Sequence, residues 1–305
     1  VISIAASQNR SIGSCDITGA YLHASMNNSL VYVKISSNIV KIMKTIDNTY
    51  NNYINNNGDL YVKLNKALYG CIESARLWYD CISNVLIKNG FTANKFERCI
   101  FNKMKDGNQI TLILYVDDII VTAKDDEIVQ EILELLKHEF GEITMHTGLS
   151  HDYLGMEFSR INNAQIKVTM NGYINKLLDE LDIKDTVVNP AGPNLFNIND
   201  KSELLNEKDK KQFHTICAKL LYASKRVRID IATAISFLCT RVSKPTKDDM
   251  SKLIHLLKYL NSTRDHYIIL SATNNLQINA YVDASWGCQH GGKGPAHGKA
   301  LACVI

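Results

Sequence analysis

The stretch that most constrains this chain is Tyr115-Val116-Asp117-Asp118, which lies inside Gln109 to Ala123. Two apolar, β-prone runs flank a pair of acids. Ile110 to Val116 reads as one strand and Ile119 to Ala123 as a second. The simplest geometry is a hairpin with both carboxylates at or beside its tight turn. Adjacent carboxylates repel each other and are costly to desolvate. A fold keeps such a pair where something positive sits, and a hard divalent cation is the natural candidate. The competing reading is a solvent-exposed acidic turn, because Asp is a common turn residue. The local sequence alone leaves both open.

At 305 residues the chain can hold one large domain or two to three smaller ones, and 46% hydrophobic residues supply a real core. No apolar, uncharged window is long enough to predict a membrane span. The start, Val1 to Ala6, is apolar but short; it reads as an internal start rather than a signal peptide. The net charge of +3 neither demands nor excludes nucleic acid. Eight scattered Cys contain no C-x-x-C pair, which argues against a zinc site and a disulfide scaffold. The expectation is reduced, buried thiols in a cytosolic or nuclear protein, not a secreted one.

Along the chain, Cys15 to Leu22 places Asp16 where an apolar lead-in turns into small residues, either at a sheet edge or as a helix N-cap. Asn38 to Gly58 is Asn-rich and reads as a surface loop. Ser74 is the expected N-cap of a helix carrying Leu77, Trp78, Ile82, Val85 and Leu86 on one face, closed by Asn89-Gly90. Arg76 falls in its first turn, where the macrodipole disfavours a cation. Asp125 or Asp126 should cap a second helix that ends at Gly141, and Thr246 to Asp249 resembles a capping box. The Pro- and Gly-containing stretch 186–206 reads as a domain boundary, with helices beyond it. Lys219, Lys225, Arg226 and Arg228 form a basic cluster that either follows a phosphate backbone or is a solvated helix face. Asp283 is another acid at the end of an apolar strand, followed by Gly-rich sequence.

Asp16, Asp117 and Asp118 thus all fall at strand ends or turns of what should be one sheet. Acids distant in sequence and near in space can hold two divalent cations for phosphoryl transfer. The wider series is more specific. Asp16-Ile-Thr-Gly-Ala-Tyr-Leu-His23, Leu64 to Gly70 with Ser74 and Arg76 to Tyr79, and Leu114 to Ile119 come first. Tyr153 to Glu157, Leu220 to Ala223, Arg228 to Ala232 and Tyr281 to Trp286 follow. In this order the chain resembles the reverse transcriptase region of copia-type LTR-retrotransposon polyproteins, running into the start of RNase H.

The resemblance implies an α+β fold. A right-hand polymerase palm, an antiparallel sheet with packed helices and partial fingers, would occupy 1–185. A helical thumb and connection would occupy 186–270, and a truncated RNase H-like segment 271–305. It implies an RNA-directed DNA polymerase in which Asp16, Asp117 and Asp118 bind two Mg²⁺ ions, with Mn²⁺ as an alternative. The partners would be dNTP and a primed RNA or DNA template. Tyr21 would crowd the sugar 2′-position, Glu73 and Arg76 would lie by the nucleotide, and Leu154, Gly155 and Met156 would grip the primer. Lys219, Lys225, Arg226 and Arg228 would contact nucleic acid, and Asp283 would be the first RNase H-like acid. The family also implies cytoplasmic particles and a nuclear destination.

Departures support an alternative, a degenerate retroelement fragment that at most binds nucleic acid. The second RNase H acid is replaced by Ser285, so RNA cleavage is not expected. Glu73-Ser74-Ala75 stands where the family carries Gln-Ser-Pro. A carboxylate in place of an amide near a triphosphate adds like charge and removes a donor. Glu73→Gln should therefore lower the apparent KM for dNTP; equal values in steady-state kinetics would remove the idea.

Overall fold

A computed structural model describes residues 1–26, 30–272, 280–285 and 299–304, the last two stretches as backbone. The chain divides into two compact units, 10–148 and 1–9 with 149–305. Helix α1 (Ile2–Ser7) opens the chain and belongs to the second of these.

In unit 10–148, β1 (Ser11–Ile17) leads into a short 3-10 helix, Ala20–His23. A two-stranded ribbon follows, β2 (Tyr32–Ile35) against β3 (Leu60–Lys63). Between them the expected Asn-rich loop is instead helix α2 (Ser37–Ile46) and a 3-10 helix, Asn48–Tyr53. Ile39, Val40, Ile42, Met43 and Ile46 recur at helical spacing. The Asp47 carboxylate then accepts the Thr49 backbone N–H at 2.9 Å and caps the next turn.

Helix α3 (Ser74–Lys88) precedes β4 (Thr92–Ala93), β5 (Ile100–Lys105), β6 (Asn108–Tyr115) and β7 (Asp118–Ala123). Helix α4 (Asp126–Phe140) is capped by the Asp125 side chain and ends at Gly141, and β8 (Ile143–Thr147) closes the unit. The sheet order is β4-β5-β6-β7-β1-β8, with every neighbouring pair antiparallel.

Side chains alternate across a sheet, so one face of β1 carries Cys15 and Ile17 and one face of β7 carries Ile119 and Val121. These pack with Trp78, Ile82 and Leu86 of α3 and with Val129, Leu133 and Phe140 of α4 in one core. The opposite face of the same two strands carries Asp16 and Asp118.

In unit 1–9 with 149–305, β9 (Ser150–Tyr153), β10 (Met156–Asn162) and β11 (Gln165–Thr169) precede helix α5 (Asn171–Glu180). Helices α6 (Glu207–Ser224), α7 (Ala232–Thr240) and α8 (Lys247–Ser262) follow. The expected capping box is present: Thr246 and Asp249 bond each other's backbone N–H at the start of α8. Strand β12 (Ile268–Leu270) returns to β11 in a sheet ordered β12-β11-β10-β9. Strands β13 (Ala280–Ser285) and β14 (Lys299–Val304) pair antiparallel. Trp286 and the Gly-rich stretch 287–298 lie outside the described residues.

Among the described residues no helix is long and apolar enough to cross a membrane. The described cysteines are free thiols, with Cys15 and Cys217 buried.

At Gly13, β1 lies close against α4. A Cβ there would stand 2.4 Å from Val129 Cγ1 and 3.1 Å from Leu133 Cδ1. Val129 is fully buried and stiff at χ1, so it has little room to give. Gly13→Ala should destabilise the chain by about 1–3 kcal/mol through overpacking. Urea denaturation checks this; an unchanged midpoint would show that α4 yields freely.

Candidate active site

The expected hairpin is present, and its turn is tight. Tyr115 opposes Asp118 across β6 and β7, leaving Val116 and Asp117 as the turn. Val116 takes φ +57°, a left-handed conformation that a β-branched residue adopts only at a cost. Two contacts hold it there. The Trp78 indole N–H donates to the Val116 carbonyl at 2.7 Å, and the Ile17 backbone N–H donates to the Asp117 carbonyl at 3.0 Å.

Register brings the distant acid to the same place. Asp16 lies opposite Asp118 across β1 and β7, and opposite Thr144 across β1 and β8. Thr144, Asp16, Asp118 and Tyr115 therefore form one cross-strand row on the face opposite the helices. Asp16 sits within β1 and is not a helix N-cap; the 3-10 helix after it is capped by Gly19.

The electrostatics of this row are unfavourable. Asp16 is exposed, yet partial desolvation raises its carboxyl above the ordinary range, and the Asp117 charge adds to the shift. Asp118 is raised by burial and by the charges of Asp117 and Asp16. Beneath them the buried Cys15 thiol is pushed up to about 12, by burial first and then by Asp16 and Asp118. Among the described residues, no Lys or Arg pairs with these carboxylates.

Carboxylate oxygens on a polar face are the donor set that a hard divalent ion takes. As placed, however, the acids are not drawn into one coordination sphere. Among the described residues, no group of three or more His, Cys, Asp or Glu side chains is gathered tightly enough to hold a metal ion.

The sequence reading missed Tyr69, whose hydroxyl donates to Asp117 Oδ2 at 3.1 Å. Burial and this carboxylate raise the phenol to about 12, so it stays a donor at neutral pH. Its ring lies 4.2 Å, centroid to centroid, from that of Tyr21. The expected cap at Ser74 is also corrected. Glu73 is the N-cap, without a side-chain cap bond, and Ser74 is the first helical residue. The buried Ser74 hydroxyl instead reaches back, accepting from the Leu68 N–H at 3.1 Å and donating to the Leu68 carbonyl at 2.7 Å. The turn from Leu68 to Cys71, closed by the Cys71 N–H on the Leu68 carbonyl at 3.2 Å, brings the Leu68 backbone within reach of this hydroxyl. Arg76 is exposed on α3, with Asp80 3.7 Å away.

In the other unit, Leu154 and Gly155 form the two-residue turn of the β9–β10 hairpin, with φ +53° and +71°, and Met156 begins β10. The Tyr222 hydroxyl of α6 donates to the Leu154 carbonyl at 2.7 Å. The basic cluster is dispersed. Lys219 is paired with Glu180 at 2.7 Å, Arg226 stacks on Tyr222 with its guanidinium carbon 3.4 Å from the ring centroid, and Lys225 is exposed. Arg228 is only 1% exposed, its donors spent on Asp230 and Thr263. Asp283 lies on β13 opposite Leu301.

With this geometry in place, comparison with known proteins is direct. Residues 1–192 match the family model described as "Reverse transcriptase (RNA-dependent DNA polymerase)". The chain belongs to this reverse transcriptase family, in the copia-type form found in retrotransposon Pol polyproteins. It is 27% identical over 289 residues to the "Retrovirus-related Pol polyprotein from transposon RE1" of Arabidopsis thaliana, covering 94% of this chain and 18% of that protein. It is 28% identical over 231 residues to the corresponding RE2 polyprotein of the same plant, covering 75% and 15%. The "Transposon Ty1-BR Gag-Pol polyprotein" of Saccharomyces cerevisiae is 26% identical over 312 residues, covering 94% and 16%. The chain thus spans under a fifth of the length of these relatives.

The raised carboxyls make a prediction about stability. A folded-state pKa above the unfolded one favours the fold below the unfolded value, and that advantage is lost as pH rises through the folded value. Charge repulsion in the row is therefore fully present at neutral pH. Asp118→Asn should stabilise the metal-free chain at pH 7 by about 1 kcal/mol, the usual size when a functional compromise is relieved. The two Tm curves should converge as pH falls into the ordinary carboxylate range. An offset independent of pH in thermal unfolding would locate the effect elsewhere.

Proposed function

We propose that the chain is the polymerase part of a retrotransposon reverse transcriptase, transferring a nucleotide from dNTP to a primer 3′-hydroxyl on an RNA or DNA template. One observation carries this reading: Asp16 and Asp118 face each other on the face of the sheet opposite α3 and α4, with Asp117 at the adjoining turn. These three acids would hold two Mg²⁺ ions, or Mn²⁺ in their place. Held by these carboxylates, such ions would supply the charge that activates an attacking hydroxyl and steadies a leaving oxygen. The chain's own part is to present oxygen donors on a rigid strand pair and to keep them ionised at neutral pH once a cation relieves their repulsion.

The remaining assignments follow from the same reading. Residues 1–185 act as palm with partial fingers, 186–270 as thumb and connection, and 271–305 as the start of an RNase H-like segment carrying Asp283. Tyr21 stands at the sugar, with Glu73 and Arg76 beside the nucleotide. Leu154, Gly155 and Met156 grip the primer, a role supported by the brace from Tyr222 to the hairpin tip. Lys219, Lys225 and Arg226 contact the nucleic-acid backbone; Arg228, expected to join them, is instead buried and spent on Asp230 and Thr263. The place of action is a retroelement particle in the cytoplasm, or the nucleus.

A second reading, a relic that binds nucleic acid without catalysis, is favoured by the acids not being gathered into one coordination sphere. Primer extension on poly(rA) with oligo(dT), in Mg²⁺ and then Mn²⁺, separates the two. The expected outcome is extension by the parent chain that falls to background in Asp117→Asn. Absence of extension by a folded parent would favour the relic.

A further inference from the structure

Tyr69 connects two things that have separate tasks in the proposed reaction. Its hydroxyl bonds one oxygen of Asp117, and its ring lies against Tyr21. Asp117 Oδ1 has no hydrogen-bond partner among the described residues. Tyr69 is half exposed, yet its backbone is not free to wander. The buried Ser74 hydroxyl clamps Leu68 by both its N–H and its carbonyl, and the Ala67 N–H donates to the Ala24 carbonyl at 3.0 Å. Gly70 then turns the chain at φ +99°. The phenol is thus delivered to Asp117 from a pinned turn, and Tyr21 comes from the 3-10 helix that follows the strand of Asp16.

We propose that Tyr69 is a positioning residue with two separable actions. Its hydroxyl orients the Asp117 carboxylate by holding Oδ2, leaving Oδ1 for a cation. Its ring backs Tyr21, so that a nucleotide sugar meets a fixed wall. The first action is the outer-shell support that ligating carboxylates receive in metal sites, where loss of such a partner typically weakens metal affinity about 10–100-fold. The second is steric and needs only the aromatic ring. This inference rests on the reading of Asp16, Asp117 and Asp118 as the cation site.

Two variants divide the actions. Tyr69→Phe keeps the ring and loses the hydroxyl; Tyr69→Ala loses both. Mn²⁺ binding to the metal-free full chain is followed by electron paramagnetic resonance, with Asp117→Asn as the control. Binding of dTTP and of its ribonucleotide counterpart is then compared by calorimetry. Tyr69→Phe should bind Mn²⁺ at least about tenfold more weakly than the parent and keep the parent's preference for the deoxynucleotide. Tyr69→Ala should lose both. A general loosening of the turn would move both readouts together in Tyr69→Phe and would overturn the two-action proposal. Parent-like Mn²⁺ affinity in Tyr69→Phe would overturn the orienting role alone. If the parent binds no Mn²⁺ beyond the Asp117→Asn control, the cation site itself is wrong and Tyr69's role falls with it.

Discussion

Everything at the candidate site depends on a two-residue turn that a free peptide would avoid. Val116 is β-branched and sits at φ +57°, where glycine would be comfortable. The conformation persists because the Trp78 indole grips the Val116 carbonyl and Ile17 grips the next one. Both grips originate in the core that α3 and β1 share with the hairpin. Apolar packing therefore sets the direction in which two carboxylates leave the sheet. Tight packing of β1 on α4 at Gly13 belongs to the same arrangement, since it fixes the strand that supplies Asp16.

Much of this was legible in sequence because it rests on local chemistry. The hairpin follows from two β-prone runs around a polar break, the α4 cap from Asp125, and the α8 capping box from Thr246 and Asp249. The juxtaposition of Asp16 with Asp118 required the family resemblance, since strand order β7-β1 is a long-range property that no local pattern encodes. Helix α2 was hidden because Asn density around it outweighed a five-residue apolar stripe of which only Val40 is buried. Tyr69 was hidden for a different reason. Its partner lies 48 residues away, and a tyrosine before a glycine reads as an ordinary turn aromatic. The Ser74 hydroxyl was assigned to its own helix because capping is the commonest use of such a residue.

The chain treats its acids in two opposite ways. Arg228 is among the largest fully buried side chains, yet its guanidinium is met by Asp230 at 2.7 Å and by the Thr263 carbonyl and hydroxyl. Burial alone would raise the Asp230 carboxyl, but the Arg228 hydrogen bonds and charge outweigh it, and the net shift is downward. Asp249 is likewise met by Arg241 and by the capping box. These charges are neutralised from within, as burial of a charge ordinarily requires.

Asp16 and Asp118 receive the reverse treatment. Partial desolvation and neighbouring acids both push them up, although Asp16 is exposed and Asp118 half-buried, and among the described residues no Lys or Arg pairs with them. Asp117 is given only a neutral phenol. A sequence with 34 Lys and Arg has cations to spare, and it spends them on Glu180, Asp185, Asp230 and Asp249 instead. Leaving the acid row uncompensated costs stability in the free chain. In the proposed reaction that cost has a use, because the missing positive charge would arrive from outside and occupy the space a side chain would fill. A built-in Lys would stabilise the sheet and close the position to a divalent ion and to the phosphates it carries.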